Sequence, residues 1–387
     1  LEKKNILFIS SWYPNRLEPT NGNFVQRHAE AVSLLHHVEV LHAIGDFEQK
    51  EKFIFDDKVV HGIRTLTVYY RNSGNPLQNF LRRMKAYRLG FKRMKKPDLV
   101  HANVLHNNML FAVYLKKKYN IPFVVTEHWT ALQKDNQHKT SALIKKIAKF
   151  IGNQASYILP VSYNLLESLD YLGIQTPKKI ISNVVDTEVF TIEKHQNKRI
   201  KFLHISSLIP RKKADRIIAV AKILHDEGFD FEIEIGGDGD YQALQKQIDE
   251  LQAGNYIRTF GEISYQEVAE KMMLSDCFIL FSENETQGCV ILESFACGVP
   301  VISTAVGGVP EFIKDKFGIL IEKNNEKALY ESMKMIIESK IIFEKPEVLR
   351  AFVVSGFSRE SIAGQFSEIY TEILNKSEFG IKNTLLH

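Results

Sequence analysis

The sequence predicts an α/β protein built from two doubly wound domains. Short β-rich runs alternate with helix-patterned segments along the whole chain, as in parallel sheets covered on both faces by helices. The alternation restarts once, after an aperiodic polar stretch at 191–200. The length of 387 residues also exceeds what one hydrophobic core ordinarily holds.

In the first series the β-rich runs are NILFIS, VEVLHAI, DLVHAN, PFVVTEH, YILPVS and KIISN. One further stretch, VVHGIRTLTVYY, reads as a pair of antiparallel edge strands. The second series has KFLHIS, FEIEIG, YIRTF, CFILF, VPVIS and GILI. Helical patterning covers 24–36, 78–96, 106–119, 213–227, 241–253, 265–274, 289–297 and 325–340. The expected boundaries are 1–184 for the first domain and 185–357 for the second. A C-terminal helix over 358–387 is expected to pack back on the first. In such sheets ligands bind beyond the carboxyl ends of the strands, so two facing domains make the cleft between them the expected site.

Composition narrows the function classes. Hydrophobic residues at 44% and charged residues at 25% match soluble globular proteins and exclude global disorder. No run of eighteen apolar residues is present to span a bilayer. The start, Leu-Glu-Lys-Lys before NILFIS, has the wrong length and flanks for a signal peptide. Cys277, Cys289 and Cys297 lack CxxC spacing and sit in apolar segments, which reads as buried reduced thiols in a cytoplasmic protein. The net charge of +4 hides a basic first half and an acidic second half. The first half is therefore expected to meet something anionic.

The segment SENETQGCVILESFACGVPVIST holds two acids, Glu285 and Glu293. A helix starting near Gly288 leaves Glu285 on the preceding loop, and the amides of Thr286 to Cys289 at the positive end of the helix. Glu293 then lies more than a turn inside, where burial without a partner is costly. A ligand with a phosphate at the helix mouth and hydroxyls on either side uses all three features, and a nucleotide sugar is such a ligand. Spacing alone equally allows a capping acid and a solvated helix residue.

From FGEISYQEVAEKMMLSDCFILFSENETQGCVILESFACGVPVISTAVGGVPEFI the chain resembles the retaining GT-B glycosyltransferases of family 4. The glutamate–seven–glutamate motif is the specific part, followed by G-x-P-V-I and GG-x-x-E. SWYPNRLEPTNGNF, VVTEHWT, ISNVVDTEVF, HISSLIPRKKADRI and IGGDGD resemble further family segments in the right order, so the likeness runs nearly end to end. It implies a GT-B fold, two Rossmann-like domains facing across a cleft. It implies that Glu285 binds donor-sugar hydroxyls and Glu293 the ribose diol, with the amides of Gln287, Gly288 and Cys289 on the distal phosphate. Family members carry an arginine five residues before the lysine matched by Lys212. Here that position is Ser207, and Arg211 is the nearest substitute. The family's mid-domain histidine is matched by His128, followed by Trp129 in place of a common glycine.

Other positions are weaker signals. Gly22 opens the first helix, where a glycine lets backbone approach a phosphate; a plain turn serves as well. Gly237, in IGGDGD, reads as a tight turn beside the nucleotide, because the G-x-G-x-x-G spacing is absent. Arg258 is placed near the base. No metal-ligand spacing or Asp-x-Asp pair appears, so no divalent metal and no cofactor is expected. Around Leu77–Lys96 apolar residues at three- and four-residue steps alternate with basic ones, and no acid intervenes before Asp98. Such a helix packs on a sheet or lies on anionic lipid, and both can hold; Lys145, Lys146 and Lys149 add to the basic surface.

The function expected from all this is retaining transfer of a sugar from a nucleotide sugar to a glycan or lipid-linked acceptor. The setting is cell-surface polysaccharide synthesis at the cytoplasmic face of the membrane, with peripheral attachment and no nucleic acid. The alternatives are a sugar-nucleotide epimerase or phosphorylase of the same fold, or a non-catalytic basic protein binding membrane or nucleic acid.

Overall fold

The computed structural model describes residues 2–193 and 197–384, with 377–384 as helix backbone alone. By contacts the chain divides into two compact units, 2–184 with the helix from Arg359 onward, and Val185–Ser358.

The first unit begins β1 (Asn5–Ser10), α1 (Asn23–Ser33), β2 (His37–Asp46), β3 (Phe53–Val60) and β4 (Ile63–Arg71). It continues α2 (Pro76–Phe91), β5 (Leu99–Asn103), α3 (Leu110–Tyr119), β6 (Phe123–Glu127), α4 (Ala142–Gly152), β7 (Tyr157–Pro160) and α5 (Tyr163–Tyr171). Its seven strands lie in the order β3-β4-β2-β1-β5-β6-β7, all parallel except β3. Strand alternation sorts the core into two layers. Leu7, Ile9, Val100 and Val125 face the side covered by α2, α3 and α4. Ile6, Phe8, Leu99 and Val124 face α1 and the C-terminal helix.

The second unit runs β8 (Ile200–Ile205), α6 (Ala214–Asp226), β9 (Phe231–Gly236), α7 (Tyr241–Glu250), β10 (Ile257–Phe260) and α8 (Tyr265–Met273). Then come β11 (Cys277–Leu280), α9 (Cys289–Ala296), β12 (Val301–Thr304), β13 (Gly318–Ile321), α10 (Glu326–Ile337) and α11 (Pro346–Phe357). Its six strands are all parallel, in the order β10-β9-β8-β11-β12-β13. The last helix, α12 (Arg359–Thr384), belongs to the first unit, where Ile362, Phe366 and Tyr370 are buried against its sheet. Of the expected 358–387 helix, 385–387 lie outside the described residues, as do 194–196 of the polar stretch.

Several local expectations are corrected. VVHGIRTLTVYY contains only one edge strand, because β4 is sandwiched between β3 and β2. KIISN is not a strand: the isolated bridge to β7 is made by Lys178 just before it, with Lys179 and Ile181 donating to the carbonyls of Ile158 and Pro160. The helix expected to 96 stops at Phe91, ahead of Pro97, and α3 begins at Leu110 after a 3-10 turn. Cys277 and Cys297 are buried, and burial pushes both thiols up, but Cys289 is partly exposed at the start of α9. Among the described residues no helix is long and apolar enough to cross a membrane.

Histidines are unusually deep in this fold. His28 Nε2 donates to Ser182 O (3.1 Å), His42 Nδ1 donates to Ser10 O (3.0 Å), and His101 sits between Tyr370 Oη and Thr126 Oγ1, each at 2.6 Å. Burial lowers His28 and His42 to about 4 and holds His101 well below its ordinary range. These rings are neutral in the fold and take up protons on unfolding below pH 6.5. Their contribution is therefore complete above pH 6.5 and lost as pH falls toward 4. Denaturant titrations at stepped pH should show stability falling from pH 6.5 to 5, with more than about two protons taken up on unfolding. A flat profile across that window would mean that these rings are not neutral and buried.

Candidate active site

Parallel sheets open a crevice where strand order reverses, at the carboxyl ends of the flanking strands. In the second unit that point lies between β8 and β11, which are neighbours in the sheet although three helices separate them in sequence. The loops leaving these two strands are joined by three contacts. Glu283 N donates to Arg211 O (2.8 Å), Lys213 Nζ pairs with Glu283 Oε1 (2.9 Å), and Lys212 Nζ forms a short ion pair with Glu285 Oε1. Side-chain exposure of only 12% and 11% makes the last pair largely desolvated. Lys212 and Glu285, expected on separate loops, are thus brought into direct contact. Arg211 joins them through its backbone carbonyl.

Behind the pair, His204 is fully enclosed. Its Nδ1 faces Ile279 O (2.8 Å) and its Nε2 faces Ser206 Oγ (2.9 Å), which in turn accepts from Leu208 N (3.2 Å). Burial lowers His204 to about 4, so a neutral ring sits behind the Lys212 ammonium. Gly237 belongs to the same corner. Its φ is +132°, and a Cβ there would stand 1.9 Å from Ser206 O, so only glycine lets the β9 turn pass this close to the loop of Lys212. Gly288 caps α9 with φ 77°, so the helix begins at Cys289. Gln287 and Glu285 are buried ahead of it, and Glu293 is buried in its second turn, 5% exposed. Glu293 Oε1 accepts from Tyr265 Oη (3.2 Å), a contact that sequence spacing did not reveal because Tyr265 comes from α8. Arg258 stands apart: it is exposed on β10, in register with Glu234, and no hydrogen bond among the described residues links it to these loops.

In the first unit the order reverses between β1 and β5. Gly22 has φ +74°, and a Cβ there would lie 2.3 Å from the Trp12 carbonyl, so the β1–α1 loop folds tightly over the start of α1. This brings Trp12 edge-on to Phe24 (6.3 Å) and to Trp129 (6.3 Å). His128 follows β6, 7% exposed, its ring against Phe24 (4.4 Å) and His28 (5.5 Å). Burial and the neighbouring His28 and His101 hold it well below its ordinary range, so it is a neutral imidazole. Its Nε2 is buried without a hydrogen-bond partner among the described residues, an exception that a ligand hydroxyl or water would relieve. Gly22 and His128 therefore belong to one cluster.

Glu127 is the residue that sequence reasoning passed over. Its carboxylate accepts from the amides of Leu105 (2.6 Å), His128 (2.8 Å) and Trp129 (2.6 Å), tying the loops after β5 and β6 together. Burial raises it to about 7, while the three N–H donors favour the charge. Its position at a strand end before the histidine was the available signal. Among the described residues no group of three or more His, Cys, Asp or Glu could hold a metal ion.

Both units match known family models. Residues 22–189 match Glycosyltransferase Family 4, and residues 185–351 match Glycosyl transferases group 1. The chain is 29% identical over 264 residues to an uncharacterised glycosyltransferase of Methanocaldococcus jannaschii, covering 66% of this chain and 71% of that one. It is 26% identical over 302 residues to N-acetyl-alpha-D-glucosaminyl L-malate synthase of Bacillus anthracis, covering 73% and 77%. Among solved structures, Anabaena HepE in complex with UDP and glucose superposes with a TM-score of 0.74 at 18% identity, covering 95% of this chain and 100% of that one. The fold, the two strand-end clusters and both family matches agree: the chain belongs to the GT-B glycosyltransferases of the family 4 type.

Proposed function

We propose that the protein transfers a sugar from a nucleotide sugar to a glycan or lipid-linked acceptor in cell-surface polysaccharide synthesis, with retention of anomeric configuration, at the cytoplasmic face of the membrane. The observation that carries this is the desolvated Lys212–Glu285 pair at the β8/β11 reversal, one loop away from buried Glu293. A cation and two acids held in this order suit a diphosphate flanked by a hexose and a ribose. Two similar proteins, a glucosaminyl malate synthase and one whose structure holds UDP and glucose, support that ligand class.

In this reading Lys212 exchanges part of its contact with Glu285 for the distal phosphate, whose charge grows as it leaves. The amides of Gln287, Gly288 and Cys289 share that charge. Glu285, released toward the sugar, accepts from its hydroxyls and fixes the anomeric carbon; Glu293, with Tyr265, accepts from the ribose diol. The glycosidic bond to phosphate breaks, the acceptor oxygen enters on the same face, and its proton passes to the departing phosphate oxygen. His128 and Trp129 serve the acceptor side.

Thermal-shift screening against nucleoside diphosphates and their sugars identifies the donor, because a ligand bound only by the native state raises the melting temperature. With that donor, Glu293→Gln is expected to weaken diphosphate binding about ten- to a hundredfold, the worth of a charged hydrogen bond. Glu285→Gln should lower turnover at saturating donor more than affinity, and Lys212→Ala should lower both. Calorimetry and turnover on folded variants decide the matter: identical profiles for the two glutamine variants would refute the division of roles. Transfer should also persist in EDTA, since side chains and helix amides carry the phosphate charge. Complete loss, restored by a divalent metal, would overturn that part.

A further inference from the structure

Three of the helices over one face of the first unit's sheet, α2, α3 and α4, carry no acidic residue. By contrast α5, with Leu169 in the same core, has Glu167 and Asp170. The opposite face carries Glu30 in α1 and Glu360, Glu368 and Glu372 in α12. What the three acid-free helices turn outward is equally selective. On α2 and its C-cap the exposed stripe is Leu77, Leu81, Lys85, Arg88 and Lys92, with Leu77 and Leu81 69% and 60% exposed. On α4 it is Leu143, Lys146, Lys149 and Phe150, with Leu143 68% and Phe150 44% exposed. Between them α3 ends in exposed Lys117, Lys118 and Tyr119.

Aromatic and cation–π contacts join the three helices into one surface. Phe91 meets Tyr119 at 5.7 Å, Arg88 lies over Tyr114 at 5.6 Å, and Lys117 lies over Phe150 at 5.7 Å. Not every basic residue of the Leu77–Lys96 stretch belongs to it. Arg83 is held inward by Tyr70 and Asn108, and Arg93 stacks on Phe55 at 3.5 Å. The face expected from the Leu77–Lys96 stretch with Lys145, Lys146 and Lys149 is therefore a three-helix face, to which α3 adds Lys117 and Lys118.

We propose that this α2–α3–α4 surface is a docking face for anionic lipid bilayer, with α4 seated deepest. Exposed leucine and phenylalanine interleaved with lysine is the composition of a helix lying in the headgroup region: the apolar side chains enter the acyl boundary and the lysine stems snorkel to phosphate. A nucleic acid or an acidic protein would match the lysines but leaves Leu143 and Phe150 without purpose. The same edge of α4 opens on a slot of about 100 Å³ where Leu143, Ile144 and Ile147 face Leu105 and Trp129, the neighbour of His128. A membrane-borne acceptor would thus keep its lipid in the bilayer while its headgroup reaches the loops after β5 and β6. This rests on the proposed action on a membrane acceptor and specifies the surface that delivers it.

The test uses the full chain and sedimentation with vesicles of phosphatidylcholine, alone or mixed with phosphatidylglycerol. Wild type should partition to the mixed vesicles and be released by salt. Lys117→Gln, Lys118→Gln, Lys146→Gln and Lys149→Gln combined should lower the partition coefficient at least about tenfold at low salt. Leu143→Ser with Phe150→Ser, which leaves the charge intact, should also lower it about tenfold. All six positions are exposed, and unchanged melting temperatures verify that the variants fold. No preference for anionic vesicles, or either variant binding like wild type, overturns the proposal; so does duplex RNA binding that needs the lysines but not Leu143 and Phe150. Donor hydrolysis in vesicle-free solution separates the two readings: hydrolysis retained with vesicle binding absent defeats only the docking face, whereas no nucleotide binding in wild type defeats the proposed function.

Discussion

A parallel sheet must bury both faces, and most of this architecture follows from how the chain meets that requirement. In the first unit the crossovers supply α2, α3 and α4 to one face but only α1 to the other. The chain completes the bare side with α12, returning after the whole second unit has been built. The return is specified by polar contacts as well as by Ile362, Phe366 and Tyr370. Tyr157 Oη bonds Glu372 (2.8 Å), His36 bonds Ser367 (3.0 Å), and His101 bonds Tyr370. From there the dependence reaches the strand ends: Phe366 packs edge-on against His28 at 5.1 Å, and His28 packs on His128. The loop histidine is thus positioned through a helix some two hundred and forty residues later in the sequence.

The second unit meets the requirement with its own helices, and its polar groups collect where the sheet order reverses. Packing explains why they stay ordered. Ser206 N donates to Gly236 O (3.1 Å), and Glu283 N donates to Arg211 O. Together these hold the β8 loop between its neighbours from β9 and β11. Glycine at 237 is what allows that approach. The side chains of Lys212 and Glu285 emerge from a backbone that is already fixed, which is the condition for a preorganised charge arrangement.

The doubly wound class was legible because alternation and period depend on local sequence. The boundaries of α9 were legible for the same reason, since Gly288 and Gly298 bracket a short apolar helix, whereas spacing left the burial of Glu293 open. What escaped depended on sheet order. β4 reads as an edge strand until β2 is known to pair with it, and KIISN has strand composition although only Lys178 before it bridges β7. Tyr265 and Glu127 escaped because each acts on residues brought close only by the fold. The basic helix was misjudged in detail for a similar reason: linear counting cannot tell Arg83, turned inward to Tyr70, from Lys85, turned out.

The Lys212–Glu285 pair is the feature least explained by stability. Bringing an ammonium and a carboxylate to about a tenth of their free exposure costs desolvation that their attraction only offsets, and apolar residues of similar size often do as well or better. The same sheet is already held by Phe278, Leu280 and Ile279, and the surface pairs of the unit, such as Lys222 with Asp226, are of the exposed kind that contributes little. A desolvated pair at the reversal point, backed by a neutral His204 that adds no competing charge, is therefore not accounted for by the stability of the fold. In the proposed function this energetic weakness is useful: a pair that barely breaks even is opened at small cost by a dianion arriving beside the lysine, and the carboxylate it frees then faces the ligand rather than water.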